Sequence, residues 1–335
     1  MRYVEAGGVR LSAVGLGTWQ FGSGEWGYGT AYATEMAPRI VDRSLDLGVN
    51  LVDTAEAYGF GRSETIVGRA LAGRRAEAFV ATKLLPVLPV GPIVGWRARA
   101  SQRRLDVEAI DLYQLHWPNP AVPVRLTADA LAGLQRSGLI RHVGVSNFSL
   151  ARWQGLERAL GGPVLSNQVR FSLIDRGPEA ELLPWAQAND RLLIAYSPLS
   201  QGLLSGRYDP DHLPSGLRAS TPPFLPGNIR LLAPVLGALR EVAAGHRATP
   251  AQVALAWLLR RPNVVVIPGA SSVEQAESNA AAADLVLTDG EDAALTAASD
   301  HFHPVRGTAA LPAVARRRVD RSANRVRRAV GGLRG

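Results

Sequence analysis

The sequence predicts an α/β protein, a (β/α)8 TIM barrel with an N-terminal β-hairpin and a basic C-terminal tail. Three observations lead there. Eight short apolar runs alternate with stretches of helical spacing, the pattern of a parallel sheet under a helical cover. Eight such units in one body favour a closed barrel over an open doubly wound sheet. No internal repeat or linker divides residues 1–303, which read as one domain, with 304–335 as a basic C-terminal extension expected to be flexible.

Residues 1–12 pattern as a hairpin, with Val4 and Val9 on either side of Ala6-Gly7-Gly8. Residues 13–17 form a first strand that runs into a Gly- and aromatic-rich loop from Thr18 to Tyr32. A helix over 37–47 (Ile40, Val41, Leu45, Leu47) stops at Gly48, a C-terminal signal. Strand 50–53 leads to helix 63–71, stopped by Gly73, and strand 79–82 to helix 93–105. Strand 110–115 precedes helix 128–136, ended by Gly138; strand 140–145 meets helix 150–160; strand 164–169 meets helix 179–189. Strand 192–197 opens onto an irregular loop of roughly 30 residues, a length that inside a compact domain is usually functional or disordered. Residues 229–244 and 251–260 are helical, the second opened by the capping box Thr249-Pro250-Ala251-Gln252 with Pro at the first helical position. Strand 264–267 is followed by a second box, Ser272-Val273-Glu274-Gln275, opening helix 273–282; Thr288-Asp289-Gly290-Glu291 caps a last helix to residue 299.

Composition removes several function classes. There is no Cys, hence no disulfide framework, thiolate metal site or Cys nucleophile. The N-terminus lacks the apolar run of a signal peptide and no 18-residue apolar stretch occurs, so a cytoplasmic protein without a membrane partner is expected. The net charge of +8 is concentrated: residues 316–335 hold eight Arg and one Asp, a net of +7, which leaves about +1 for everything before them. The tail from Arg316 to Arg328 suits a basic helix for an acidic surface or nucleic acid. A solvated extension is the favoured reading; nucleic acid is not an expected partner of the body, and the tail leaves that partner open. Of 37 basic residues only Lys83 is Lys. An ammonium is compact and tunable where a guanidinium stays planar and protonated.

The candidate chemistry lies at successive strand ends. Asp53 closes one strand and Tyr58 follows on a Gly-bearing loop; Lys83 closes the next strand and His116 the one after. In a barrel those ends share one face, where active sites form. A free phenol titrates at roughly 10, too high to release its proton readily. A nearby ammonium lowers it, and a carboxylate holds that ammonium in place. Lys83 and Asp53 suit those roles, with Tyr58 as general acid and His116 orienting a carbonyl oxygen or relaying the proton.

These segments resemble the aldo-keto reductases over residues 1–299: Val14-Gly-Leu-Gly-Thr-Trp19, Val52-Asp-Thr-Ala-Glu-Ala-Tyr58, Ala81-Thr-Lys83, Asp111-Leu-Tyr-Gln-Leu-His116, Gly144-Val-Ser-Asn147, Asn167-Gln168, Tyr196-Ser-Pro-Leu199 and Ile267-Pro-Gly-Ala270. The resemblance implies reduction of aldehydes or ketones with NADPH, or less often NADH, on a (β/α)8 barrel without a metal. It implies that Tyr58 donates the proton, that Lys83 and Asp53 tune it, and that His116 positions the carbonyl. Ser146, Asn147 and Gln168 match the residues that hold the nicotinamide carboxamide, and Tyr196 the aromatic that stacks on its ring. Ser197, Pro198, Leu199, Gln201, Gly202, Leu204 and Ser205 fall on the stretch that straps the pyrophosphate. Ile267, Pro268, Gly269, Ala270, Ser271, Gln275 and Asn279 fall where the adenosine end would bind. Helix-terminal N–H groups there suit a phosphate even without a basic side chain.

One departure bears on the cofactor. Many relatives carry Lys or Arg beside the adenosine 2′-phosphate, whereas residues 267–279 here hold none. Arg207 and Arg218 are the candidates to supply that charge, as equivalent residues do in the potassium-channel β-subunit branch. NADPH is expected, with NADH possible. Trp19, Trp26, Tyr28 and Trp117 stand on loops at the proposed mouth and imply an aromatic-lined pocket for a small carbonyl compound. Two rival readings are a nicotinamide-binding sensor or regulatory subunit and a sugar-ketone reductase of secondary metabolism. Gly22-Ser-Gly-Glu-Trp-Gly27 matches a dinucleotide-fold pattern but opens no apolar-periodic helix. His301-Phe-His303 has no partner ligand nearby in sequence and reads as a solvated turn.

Overall fold

The computed structural model describes residues 1–23, 29, 31–209, 212–214, 221–305, 307–310 and 312. Arg218, Trp26, Tyr28 and the Arg-rich run from Arg316 onward, all singled out above, lie outside the described residues. The chain divides into two compact units, one of residues 1–199 with 252–287 and one of residues 200–251 with 288–335.

The first unit opens with an antiparallel hairpin, β1 (Tyr3–Ala6) and β2 (Val9–Ser12), as its alternating pattern requires. Eight parallel strands follow: β3 (Leu16–Gly17), β4 (Leu51–Asp53), β5 (Phe79–Leu84), β6 (Ile110–Leu115), β7 (Ile140–Ser146), β8 (Ser166–Arg170), β9 (Leu192–Tyr196) and β10 (Val264–Val266). Each pairs with its sequence neighbour. The ring closes where Gly15 N donates to Val266 O at 2.7 Å and Gly17 N to Pro268 O at 3.1 Å. Every position of β4, β6 and β10 is buried, as in strands covered on both faces.

Ala6 and Leu11 of the hairpin join Leu51, Ala81, Leu112, Leu192 and Val265 in one buried cluster. Asn50, just before β4, accepts from Ser12 N, and Asp190, just before β9, accepts from Gly7 N. The hairpin therefore covers the N-terminal ends of the strands, and chemistry is left to their C-terminal ends. Leu51, Ala81 and Leu112 stand two residues before Asp53, Lys83 and Gln114. Strand alternation puts that polar set on the same inner face, one layer further along.

The covering helices of this unit are α1 (Ala37–Asp46), α2 (Arg62–Ala70), α3 (Gly91–Leu105), α4 (Val124–Arg136), α5 (Leu150–Leu160) and α6 (Leu182–Ala188). The second unit holds α7 (Pro226–Leu231) and α8 (Ala233–His246); α9 (Pro250–Leu259) spans the division, α10 (Val273–Ala281) belongs to the first unit and α11 (Asp289–Asp300) to the second. Within the second unit, Asn228 clamps Pro222 O and Val305 O, and His246 meets Glu291 at 2.7 Å. Among the described residues no helix is long and apolar enough to cross a membrane.

Several boundaries differ from the sequence reading, each for a local reason. Residues 229–244 are two helices, because Pro234 has no N–H to give Arg230 and its ring crowds that carbonyl. Residues 179–189 likewise split into a 3-10 turn, Gly177–Glu179, and α6, which carries Pro184 in its first turn, where Pro is tolerated. The helix read from 128 begins a turn earlier, at Val124. The stretch read as loop from Thr18 to Tyr32 contains a 3-10 turn, Trp19–Gly22, and a π turn begins at Tyr32 ahead of α1. The capping box at Thr288 is complete. At Ser272 only half forms: Ser272 Oγ accepts from Gln275 N, while Gln275 Oε1 turns to Ser271 N and Oγ.

Candidate active site

The four residues expected to share chemistry all belong to the first unit. Lys83, last but one in β5, is 0% exposed. Its Nζ donates to Asp53 Oδ1 at 2.5 Å, to Thr54 O at 2.8 Å and to Tyr58 Oη at 3.3 Å. The second carboxylate oxygen of Asp53 accepts from Gln168 Nε2 at 2.7 Å and Gln114 Nε2 at 3.2 Å. Asp53 is thus fully hydrogen-bonded in a buried setting, which is what makes a buried ion pair tolerable. Gln114 was not singled out beforehand. Its signal was available, since it lies two residues before His116, which continues the direction of β6, and so on the same face. Gly144 on β7 is needed beside it: a Cβ there would stand 2.9 Å from Gln114 Cγ and 2.8 Å from Ser166 Oγ.

Tyr58 is held by backbone. Its N–H donates to Ala55 O and its carbonyl accepts from Ser63 N, the first turn of α2. Gly59 has a positive φ of 59°, and Gly22 packs directly against the Tyr58–Gly59 peptide; a Cβ on Gly59 would fall 2.6 Å from Gly22 O. Burial pushes the Tyr58 phenol up, and the Lys83 ammonium acts against that without cancelling it. The sequence reading expected the ammonium to win; here desolvation of the phenolate is the larger effect. For Lys83, burial alone would depress the ammonium, but the charge of Asp53, aided by Tyr58, outweighs it and holds the group above its ordinary value. Both groups therefore keep their protons at neutral pH.

His116 follows β6, its ring edge-to-face with Tyr58 at 5.9 Å and stacked on Trp117 at 4.0 Å. Burial, reinforced by Lys83, drives its pKa down to about 3, so the imidazole is neutral. Its Nδ1 is buried and has no partner among the described residues. Of the pocket aromatics, Trp117 is half-exposed beside this imidazole, and Trp19 lies on the turn after β3.

The amide-bearing residues gather at the ends of β7, β8 and β9. Ser146 Oγ donates to Gln168 O, Asn147 Nδ2 donates to Ser146 Oγ and His116 O, and Tyr196 Oη donates to Asn147 Oδ1. Asn147 and Ser197 both have positive φ, 60° and 51°. A non-Gly left-handed residue is a common mark of a constrained functional turn. Gln168 Oε1 accepts from no described residue. That open acceptor, with the Tyr196 ring at the end of the next strand, fits an uncharged carboxamide. After β10, Ile267 is buried and Pro268 O closes the barrel. Gly269 O accepts from Asn279 Nδ2, Ala270 O accepts from Tyr32 Oη, and Ser271 leads into α10. The first turn of α10 holds Glu274 and no basic residue. Pro198 and Leu199 end the first stretch of the first unit. Gln201, Gly202, Leu204 and Ser205 belong to the second, on a 3-10 turn kinked at Gln201 and Gly202 and closed by Ser205 Oγ on Gly202 O, and Arg207 follows that turn.

Comparison with known proteins agrees with this fold. The model of the Aldo/keto reductase family matches residues 13–300. An uncharacterized oxidoreductase of Mycobacterium bovis is 50% identical over 322 residues, 96% of this chain and 100% of the relative. A methylglyoxal reductase of Escherichia coli is 35% identical over 311 residues, 92% of this chain and 97% of the relative. Among solved structures, an aldo/keto reductase from Klebsiella pneumoniae in complex with NADP and acetate superposes with a TM-score of 0.74 at 30% identity, covering 91% of this chain and 97% of that one.

Proposed function

Because this chain is an oxidoreductase that belongs to the Aldo/keto reductase family, we propose that it reduces small aldehydes or ketones to alcohols with NADPH in preference to NADH, using Tyr58 as proton donor. The single observation that carries the reading is the Lys83 ammonium bridging Asp53 at 2.5 Å and the Tyr58 hydroxyl at 3.3 Å. Ser146, Asn147 and Gln168 would hold the carboxamide of the nicotinamide and Tyr196 would lie on its ring; when bound, that group supplies a hydride. The relative solved with NADP supports the preference for the phosphorylated cofactor.

The chain's own part is proton chemistry. A carbonyl oxygen accepting from Tyr58 Oη is polarised toward the alkoxide it becomes, and neutral His116 adds a second hydrogen-bonding group without adding charge. Tyr58 holds its proton until needed, since burial raises it. An alkoxide is a far stronger base, with a conjugate acid close to the value of about 16 for water, so transfer runs downhill once negative charge reaches the oxygen. The phenolate left behind is met by the Lys83 ammonium, which Asp53 keeps in place, and is reprotonated from solvent. Tyr58→Phe should retain the cofactor while lowering aldehyde-dependent oxidation of NADPH on the order of 10²- to 10⁴-fold, the usual worth of a general acid. Undiminished turnover in that variant would reject the mechanism and favour a sensor role.

A further inference from the structure

A cavity of about 280 Å³ lies in the first unit between the loops after β5 and β6 and the helices α4 and α5. Its walls are apolar: Pro86 and Pro89 from one loop, Trp117 and Pro118 from the other, and Phe148 ahead of α5. The polar side chains among them are already committed to the protein. Asn119 Nδ2 donates to Pro86 O at 2.6 Å, while its Oδ1 accepts from Ala121 N at 2.7 Å and Val122 N at 3.1 Å. Thr127 Oγ1 donates to Pro89 O at 2.9 Å.

What remains open is of one kind. Arg152, a solvent-exposed residue, is among those lining the cavity and its guanidinium pairs with no described residue, and the Trp117 indole N–H meets no described acceptor. Both are donors. Arg152 also stands in the first turn of α5, which holds no acidic side chain and presents its N-terminal dipole there. We propose that this cavity is a second small-molecule site, selective for a compact apolar body bearing a carboxylate. The size agrees: an apolar cavity of about 150 Å³ accepts benzene, so this one takes a ring with a short acidic arm. The arm finds Arg152, whose fork geometry matches a carboxylate, and the ring lies among prolines and the Trp117 indole. The same indole stacks on His116, so the occupant contacts a ring that already touches the active-site imidazole.

Gly155 offers a clean test. It lines the cavity, and a Cβ placed on it has nothing nearer than Arg158 Nη2 at 4.0 Å. Gly155→Leu therefore fills the space without a clash and adds helix propensity. Calorimetric titration of the full chain with phenylacetate, free of cofactor, should give a millimolar or tighter Kd, with phenylacetamide about tenfold weaker. Gly155→Leu should abolish the heat, Arg152→Gln should weaken binding about tenfold, and Tyr58→Phe should leave it unchanged. Ala151→Leu is a second filling change should Gly155→Leu fail to fold. Binding that persists in both filled variants but disappears in Tyr58→Phe would put the acid in the active site and overturn the proposal; equal affinity for acid and amide, or no heat at millimolar phenylacetate, would do so as well. The readout needs no turnover, so failure of the reductase reading and failure of this one are distinguishable.

Discussion

Replacing Lys83 by Met tests the centre of the mechanism, because Met keeps the buried length and removes the charge together with its three hydrogen bonds. The ammonium stands 3.3 Å from the Tyr58 oxygen. At an effective dielectric of about 20, two unit charges at that separation interact by about 5 kcal/mol, an upper bound on what a phenolate at Tyr58 loses. Water entering the site recovers part of it. If roughly 3–4 kcal/mol remains, kcat falls on the order of 10²- to 10³-fold at about 1.4 kcal/mol per tenfold. The phenol, already raised by burial, should climb further, which near-ultraviolet difference absorbance in alkaline titration would follow. Stability should drop as well, by about 3–5 kcal/mol, because Asp53 is left buried with only amide donors. Lys83→Met combined with Asp53→Asn should regain much of that stability without regaining turnover. Single-turnover oxidation of NADPH with a saturating aldehyde reports the chemical step directly. Unchanged kcat, or a Tyr58 phenol that titrates lower in the variant, would refute the reasoning.

Three further outcomes follow from the same geometry. His116 binds a proton in the unfolded chain near pH 6.5 but only near pH 3 when folded, so the unfolded state holds more protons between those values and stability is lost on acidification. Urea midpoints from pH 7 to 4 should fall less steeply for His116→Gln than for wild type, the difference reaching at most about 1.4 kcal/mol per pH unit; parallel curves would disprove it. Glu274→Arg, in the first turn of α10, should raise the ratio of kcat/KM for NADPH over NADH about tenfold, and a ratio unmoved in steady-state kinetics would place the 2′-phosphate elsewhere. Gly59→Ala drives a methyl against Gly22 O and should cost about 1–3 kcal/mol of stability with a fall in kcat and little change in KM for cofactor; denaturant unfolding and kinetics measure both.

The parts of this molecule that were legible in its sequence are those governed by local rules. Strand alternation with helices announced the barrel, and Asp53, Lys83 and His116 were visible as the polar residues that end apolar strands. Proline decided what spacing alone obscured: residues 229–244 look like one amphipathic helix until Pro234 is weighed as a breaker. The second half of the Ser272 box failed because Gln275 had a better offer one residue earlier, from two donors on Ser271. No sequence pattern distinguishes those two choices.

The electrostatic balance was the least legible quantity, and it concerns the function most. From the sequence, an ammonium near a phenol implies an acidic phenol. In the folded chain the same ammonium is drawn to Asp53 at 2.5 Å and stands farther from Tyr58, at 3.3 Å. Its field at the phenol is shared with a carboxylate of opposite sign, and desolvation of Tyr58 is the larger effect. Sign and outcome then differ from the simple expectation, yet the chemistry gains. A phenol lowered all the way to neutral pH would be partly ionised in the resting site, and the ionised fraction could not act as an acid. In the proposed mechanism, one held protonated by burial, beside a cation that acts fully only when the phenolate forms, would stabilise the transition state more than the ground state, which is the condition for raising kcat.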